Sequence, residues 1–368
     1  MNIQQYPNIE TKKDYMEYLG SLMTAAEEEA VHDRGRPRQL KTILIESNSE
    51  IPSEFSTGRA SVSIKETDVQ DIRRVQVTID NHKIVPFFLD TSDKRFWILH
   101  TNALSDVVAK ATNMLIGSDK YEFDRTWFAS SMLQDIASMQ GNRSMGFKLN
   151  YQDLFLKEEL DTPVEEFQIS INGTSSDRAL AAIQKEQALQ NTLAFSRVRI
   201  LRGSRPRFSR DDFTFSGQFV VKGGTSIDDH VSLVETARKT YAGKMKEIEN
   251  FGIGVKTVDD RTLVEGKAFD FEFKRNIEDV STFVEGVFSS KFRLWGLKSK
   301  LTEETYRILA VDLHTGDPFD LEISKNLMRV YLPKGSCGNV VLRLLVNLQH
   351  YFDSNIKCDE IGLYGAHV

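Results

Sequence analysis

Disulfide chemistry has little to work with in this chain. Two cysteines, Cys337 and Cys358, stand among 368 residues and form neither a CxxC pair nor a framework. Proline is scarce at eight residues, and no apolar run approaches the 20 or so residues that a spanning helix requires. The most apolar stretch, Val340–Val346 (VVLRLLV), is short and is interrupted by Arg343. The N-terminus, MNIQQYPNIETKKD, has no basic-then-apolar secretory pattern. These absences exclude a helical membrane protein and a disulfide scaffold, and they lead us to expect a reducing cytoplasm. A net charge of −6 excludes a protein whose whole surface coats nucleic acid, but leaves room for a local basic site. No HExxH, GxSxG, Rossmann glycine pattern or GxxxxGK[ST] loop is present.

Phenylalanine is abundant, with 23 residues, many of them alternating with polar positions as strands do. Helical spacing predicts a first helix over Thr11–Val31, stopped by Gly35 and Pro37. Strands follow at Thr42–Glu46, Ala60–Lys65, Arg74–Asp80, Ile84–Leu89 and Arg95–His100, with Asn81-His82 as a turn. Asn102 and Asp124 are expected to cap helices running to Ile116 and Met139.

Leu156–Glu166 (LKEELDTPVEE) is charged and aperiodic. It marks the expected boundary between an N-terminal domain over 1–155 and a C-terminal domain over 166–368. Beyond it come strands at Phe167–Asn172, Phe195–Leu201 and Phe213–Lys222, with helices at Asp177–Gln190 and Ile227–Phe251. The last third is expected to hold strands at 253–258, 262–265, 269–274, 292–297, 306–313, 319–323 and 329–332. Helices are expected over Ile277–Phe288 and Cys337–Phe352. Clustered strands make the fold class α+β, with antiparallel meander sheets covered by helices in two domains.

Two segments carry functional readings. Six arginines, Arg197, Arg199, Arg202, Arg205, Arg207 and Arg210, fall within fourteen residues around Gly203, Ser204 and Pro206. An arginine-rich loop there would follow a phosphate backbone or an acidic partner protein, with Phe208 free to stack on a base. Arg34, Arg36, Arg38 and Lys41 form a smaller cluster after the first helix. The leading expectation is an intracellular accessory protein that binds nucleic acid or a partner protein. By analogy of profile alone, it would serve a prokaryotic antiviral-defence or nucleic-acid-handling complex.

The second segment, DRTLVEGKAFDFEFK over Asp260–Lys274, ends in Glu272-Phe273-Lys274. Residues two apart on a strand share a face, so Glu272 and Lys274 would stand together, with Asp260 supplied by the preceding strand. The segment resembles the core of PD-(D/E)xK nucleases over residues 226–298. It departs from them where Val258-Asp259 replaces the proline-aspartate pair. The resemblance implies a nuclease with Asp260 and Glu272 as Mg²⁺ ligands and Lys274 assisting. Whether the chain is an enzyme stays open at this level.

Weaker signals remain. Lys334–Asn339 (KGSCGN) joins a strand to a helix, and backbone amides there could hold an anion. His350 lies about 20 Å along the helix from Cys337, too far for a dyad, so any partner for that thiol must come from elsewhere in the fold. His314 sits in a hairpin reading HTGD.

Overall fold

The computed structural model describes residues 7–31, 38–50, 52–57, 60–79, 83–116, 123–155, 166–258 and 261–365. The chain opens with α1 (Lys12–Val31), followed by β1 (Lys41–Ser47), β2 (Glu54–Thr57), β3 (Ala60–Glu66), β4 (Ile72–Ile79), β5 (Lys83–Asp90) and β6 (Phe96–Thr101). Then come α2 (Ser105–Ile116), β7 (Phe123–Arg125), α3 (Ser130–Ser138), β8 (Asn142–Gln152), β9 (Glu166–Asn172) and α4 (Ser176–Ile183). Next are β10 (Phe195–Ser204), β11 (Arg207–Thr214), β12 (Gln218–Gly224), α5 (Ile227–Asn250), β13 (Gly254–Val258) and β14 (Arg261–Glu265). The last elements are β15 (Phe269–Glu272), α6 (Val280–Val287), β16 (Leu294–Thr302), β17 (Thr305–Asp312), β18 (Pro318–Ser324), β19 (Leu327–Tyr331) and α7 (Asn339–Tyr351).

The fold is α+β, and its strands pair antiparallel. A 12-stranded sheet runs β2-β3-β4-β5-β6-β1-β12-β11-β10-β8-β9, with β7 also pairing β1. A five-stranded sheet runs β15-β19-β18-β17-β16, and β13-β14 form a separate hairpin. The segment expected to separate the domains, 156–165, lies outside the described residues. The large sheet is continuous across it, because β1 pairs β12 and β8 pairs β10. The predicted Asn81-His82 turn also lies outside the described residues, although Ile79 pairs Lys83 on either side of it.

Period-two alternation sorts β1 between two cores. Ile43 and Ile45 join Val75, Val77, Phe87, Trp97 and Leu99 under α2. Leu44 points the other way, into the core shared with Phe96, Ile98, Phe213 and Phe219 and with helix residues of α3, α5 and α7. Thr42 and Glu46 share Leu44's parity, so two polar side chains of β1 enter that helix-filled core, both fully buried.

α5 explains itself locally. Ser226 accepts the Asp229 N–H at 3.3 Å as N-cap, and Asp228 and Asp229 stand in the first turn, where the helix dipole favours them. Its buried side chains, Leu233, Val234, Ala237, Tyr241, Met245 and Ile248, keep helical spacing and face the large sheet. α7 is different: every residue from Asn339 to His350 is buried, as expected for a helix enclosed on all sides. No described helix is long and apolar enough to cross a membrane.

Two expected elements need correction. The helix expected from Asp124 is a short strand, β7, and α3 begins only at Ser130; the Asp124 carboxylate is spent on Arg343 and Arg293 rather than on a cap. The strand expected over Phe213–Lys222 is two strands, because Gly217 turns the chain at φ +75° between β11 and β12. A Cβ at Gly217 would also be built onto Thr126 Oγ1 and lie 3.2 Å from the Leu44 carbonyl. Gly217→Ala is therefore expected to cost about 2 kcal/mol or more, from backbone strain and the clash together. A chemical denaturation midpoint equal to that of the parent would refute this.

Candidate functional site

The six arginines form a hairpin rather than a loop. β10 and β11 pair continuously from Arg197↔Thr214 to Ser204↔Arg207, so the side chains are dealt to different faces. Val198 and Ile200 enter the core, which turns Arg197 and Arg199 to the opposite face. There Arg197 Nη1 donates to Asp212 Oδ2 at 2.9 Å, and Arg199 grips the same carboxylate with Nε at 2.5 Å and Nη2 at 2.9 Å. Lys222 Nζ stands 3.8 Å from that carboxylate. Lys148 is the cross-strand partner of Arg197.

The other four arginines go elsewhere. Arg202 donates to Asn142 and to Ser232 on α5, Arg207 meets Asp228, Arg210 donates to the Lys222 carbonyl, and Arg205 lies over the Phe208 ring. That cation–π contact occupies the ring expected to stack on a base. In the smaller cluster, Arg34 and Arg36 lie outside the described residues. Lys41 is buried and donates to the Ala103 carbonyl at 2.7 Å.

What the hairpin creates is an electropositive sheet face. α2 packs on the β3–β5 part of this face, whereas the β8–β12 part carries Arg197, Arg199 and Lys222 about one carboxylate, Asp212, with Lys148 across from Arg197. Burial lowers the Lys222 ammonium pKa, and Arg199 and Arg197 lower it further against the pull of Asp212. Lys41, across from Val220, is pushed down to about 8 by burial and then by Lys222.

Of the three nuclease-like residues, Glu272 and Lys274 are described. Asp260 lies outside the described residues. Its flanking strands, β13 and β14, form their own sheet, while β15 pairs β19. Glu272 is exposed and ion-paired to Lys357 at 2.8 Å. Lys274 lies beyond the end of β15 and is exposed, with its backbone N–H on Asp353 Oδ2 at 2.7 Å. Asp270 is held bidentate by Arg329 at 2.7 Å.

A cluster of buried polar and charged side chains lies where α7 meets β1 and the β17–β18 turn. Arg343 is wholly buried and spans Asp124 (2.5 Å) and Asp312, while its Nε donates to the Phe292 carbonyl at 3.0 Å. Arg293 adds a second cation on Asp124 at 3.0 Å. The Asp124 carboxyl stays below its usual range: burial raises it, but Arg343 and Arg293 outweigh that. Asn339 links this quartet to Glu46, accepting from Arg343 Nη1 at 3.1 Å and donating to Glu46 Oε2 at 2.5 Å.

Glu46 Oε1 in turn accepts from Arg95 Nε at 2.8 Å. Cys337, just before α7, has its Sγ 3.4 Å from the same Glu46 oxygen, and His314 closes the group. The sequence had marked Cys337 and His314 separately, with nothing to join them. Burial, then Glu46, raises the Cys337 thiol well above its ordinary range. A thiol in that state is a poor nucleophile without help.

A cleft of about 510 Å³ reaches this cluster at Cys337, lined in part by Arg95, Glu249, Asp317 and Lys334. A second, of about 470 Å³, is lined in part by Asp124, Arg125, Gln218 and Arg293.

A separate buried relay joins α5 to β1 and β6. Asp211 Oδ1 accepts from His230 Nδ1 at 2.7 Å, His230 Nε2 meets Thr42 Oγ1 at 2.7 Å, and that hydroxyl meets His100 Nδ1 at 2.9 Å. All four side chains are enclosed, so this chain of hydrogen bonds knits core elements together.

The chain belongs to a family described as MJECL33-like protein, whose model matches residues 3–362. A relative from Methanocaldococcus jannaschii, named uncharacterized protein MJECL33, is 29% identical over 406 aligned positions. The match covers 98% of this chain and 97% of the relative.

Proposed function

We propose that this member of the MJECL33-like family is an accessory protein that binds the phosphate backbone of nucleic acid across the β8–β12 face. The reading rests on one observation: Arg197, Arg199 and Lys222 converge on the single carboxylate of Asp212, and Lys148 stands across the strand pair from Arg197. A phosphate chain laid along the face would supply the missing negative charge. Thr214, Gln218 and Val220, which lie among these cations, offer no ring for base stacking, so affinity would come from charge rather than sequence. Such a surface suits a subunit that holds nucleic acid for a partner in a handling or defence complex.

Fluorescence anisotropy with labelled single- and double-stranded oligonucleotides over a range of salt concentrations tests this. Binding should weaken linearly in log–log form, and Lys148→Gln should lower the slope by about one. Lys148→Glu with Lys222→Glu should weaken binding about tenfold or more, with circular dichroism read alongside because Lys222 also donates to Gln39 and faces the buried Asp212. Absence of binding at low salt, or equal binding by the doubly reversed variant, would remove the reading. Equal capture of polyglutamate would replace nucleic acid with an acidic protein partner.

A further inference from the structure

We infer that Glu46, His314 and Cys337 form a binding site for a divalent transition-metal ion of the zinc class. Their three ligand atoms lie within 4.8 Å of one another, and Cys337 Sγ is 3.4 Å from Glu46 Oε1. Bonds of about 2.0–2.3 Å to a tetrahedral zinc ion put neighbouring ligand atoms roughly 3.3–3.8 Å apart. The thiol and carboxylate therefore already stand at the edge length of such a tetrahedron, and the imidazole needs only a small approach. One nitrogen, one sulfur and one oxygen donor suit zinc better than magnesium or calcium, which favour oxygen.

The three residues come from elements far apart in the chain, and each is held in place. Glu46 projects from the centre of the large sheet, with Asn339 on Oε2 and Arg95 on Oε1. The Cys337 N–H donates to Asp317 Oδ2 at 3.1 Å, and the His314 N–H donates to Asp312 Oδ1 at 3.0 Å, which fixes both loops. Outer partners of this kind orient metal ligands.

Charge points the same way. Arg95 is gripped by Glu249 through two bonds of 2.6 and 3.0 Å as well as by Glu46, so two carboxylates share one guanidinium. Those three side chains together carry one negative charge, and the Cys337 thiol lies against Glu46. A divalent ion entering there meets that negative charge, and the thiol proton leaves to solvent as the bond to Cys337 forms. The cleft lined by Arg95, Glu249, Asp317 and Cys337 reaches the site at Cys337 and gives an ion a path from solvent.

Titration of the chelator-treated full-length chain with Co²⁺ tests the site. The expected result is one equivalent bound with a thiolate-to-cobalt charge-transfer band in the near ultraviolet, displaced by Zn²⁺. The chain holds only two cysteines, so a band that persists in Cys358→Ser identifies Cys337 as the ligand even if Cys337→Ser does not fold. His314→Gln and Glu46→Gln should weaken binding by about tenfold or more. No charge-transfer band in the parent chain, or a band lost in Cys358→Ser and kept in Cys337→Ser, would overturn the assignment.

Discussion

Replacing Arg343 with methionine is expected to lower the stability of the chain by about 3–5 kcal/mol, a large share of the 5–15 kcal/mol available to a typical domain. The guanidinium has no exposure, and Asp124 and Asp312 beside it have about 1% each. Without it, Asp124 keeps Arg293, but Asp312 loses the guanidinium that holds its Oδ1, and its Oδ2 has no hydrogen-bond partner of its own. A buried carboxylate in that state must protonate or draw in water, and either costs free energy. The Phe292 carbonyl and Asn339 Oδ1 also lose a donor. Arg343→Met combined with Asp312→Asn should recover some of the loss, because the stranded charge is gone. Denaturant unfolding at neutral pH reads both variants. A single variant within about 1 kcal/mol of the parent, or a double variant worse than the sum of its components, would refute the account.

Arg343 also shows where the sequence is silent. In VVLRLLV it reads as a flaw in an apolar stretch, since nothing nearby in the chain announces the two aspartates that meet it. Those aspartates lie 219 and 31 residues away. The strands of the N-terminal meander were legible because alternation over Val75, Val77, Phe87 and Leu89 reflects a sheet with one apolar face under α2. α5 was legible through helical spacing, whereas α7, buried on every side, showed only as an apolar run after the KGSCG turn. β8 was missed although Phe147, Leu149 and Tyr151 alternate, because Gly146 breaks the run; a Cβ there would lie 2.5 Å from the Ile171 carbonyl of β9.

The arginine hairpin failed as a loop because Gly203, Ser204 and Pro206 mark only a tight turn at its tip. Pairing of β10 with β11 decides where each guanidinium goes. The Cys337–His314–Glu46 group lay beyond reach altogether. Its members meet only because the small sheet brings the β17–β18 turn to the start of α7, beside β1 of the large sheet.

Acid should unfold this chain steeply between about pH 6 and pH 4. Burial, then His230, lowers the His100 pKa to about 3, and burial lowers that of His350 to about 4, from an ordinary 6.5. Both imidazoles therefore stay neutral in the folded chain at a pH where the unfolded chain has already taken up their protons. The sign follows: stability is whole above about pH 6.5 and falls as pH drops, until His350 levels off near 4 and His100 near 3. Each group contributes a slope of about 1.4 kcal/mol per pH unit, so the pair gives roughly 2.7 kcal/mol per unit around pH 5. Asp353, raised by burial, works in the opposite sense, because the folded state holds its proton more firmly. Asp124, lowered by Arg343 and Arg293, adds its own loss only below the ordinary carboxylate range. His350→Gln should remove about half of the slope near pH 5. Its amide can still donate to the Asn150 carbonyl, which His350 Nδ1 meets at 3.0 Å. Urea midpoints measured at half-unit steps from pH 7 to pH 4.5 decide the matter. A flat series, or one that steepens in His350→Gln, would show that these imidazoles gain their protons without unfolding the chain.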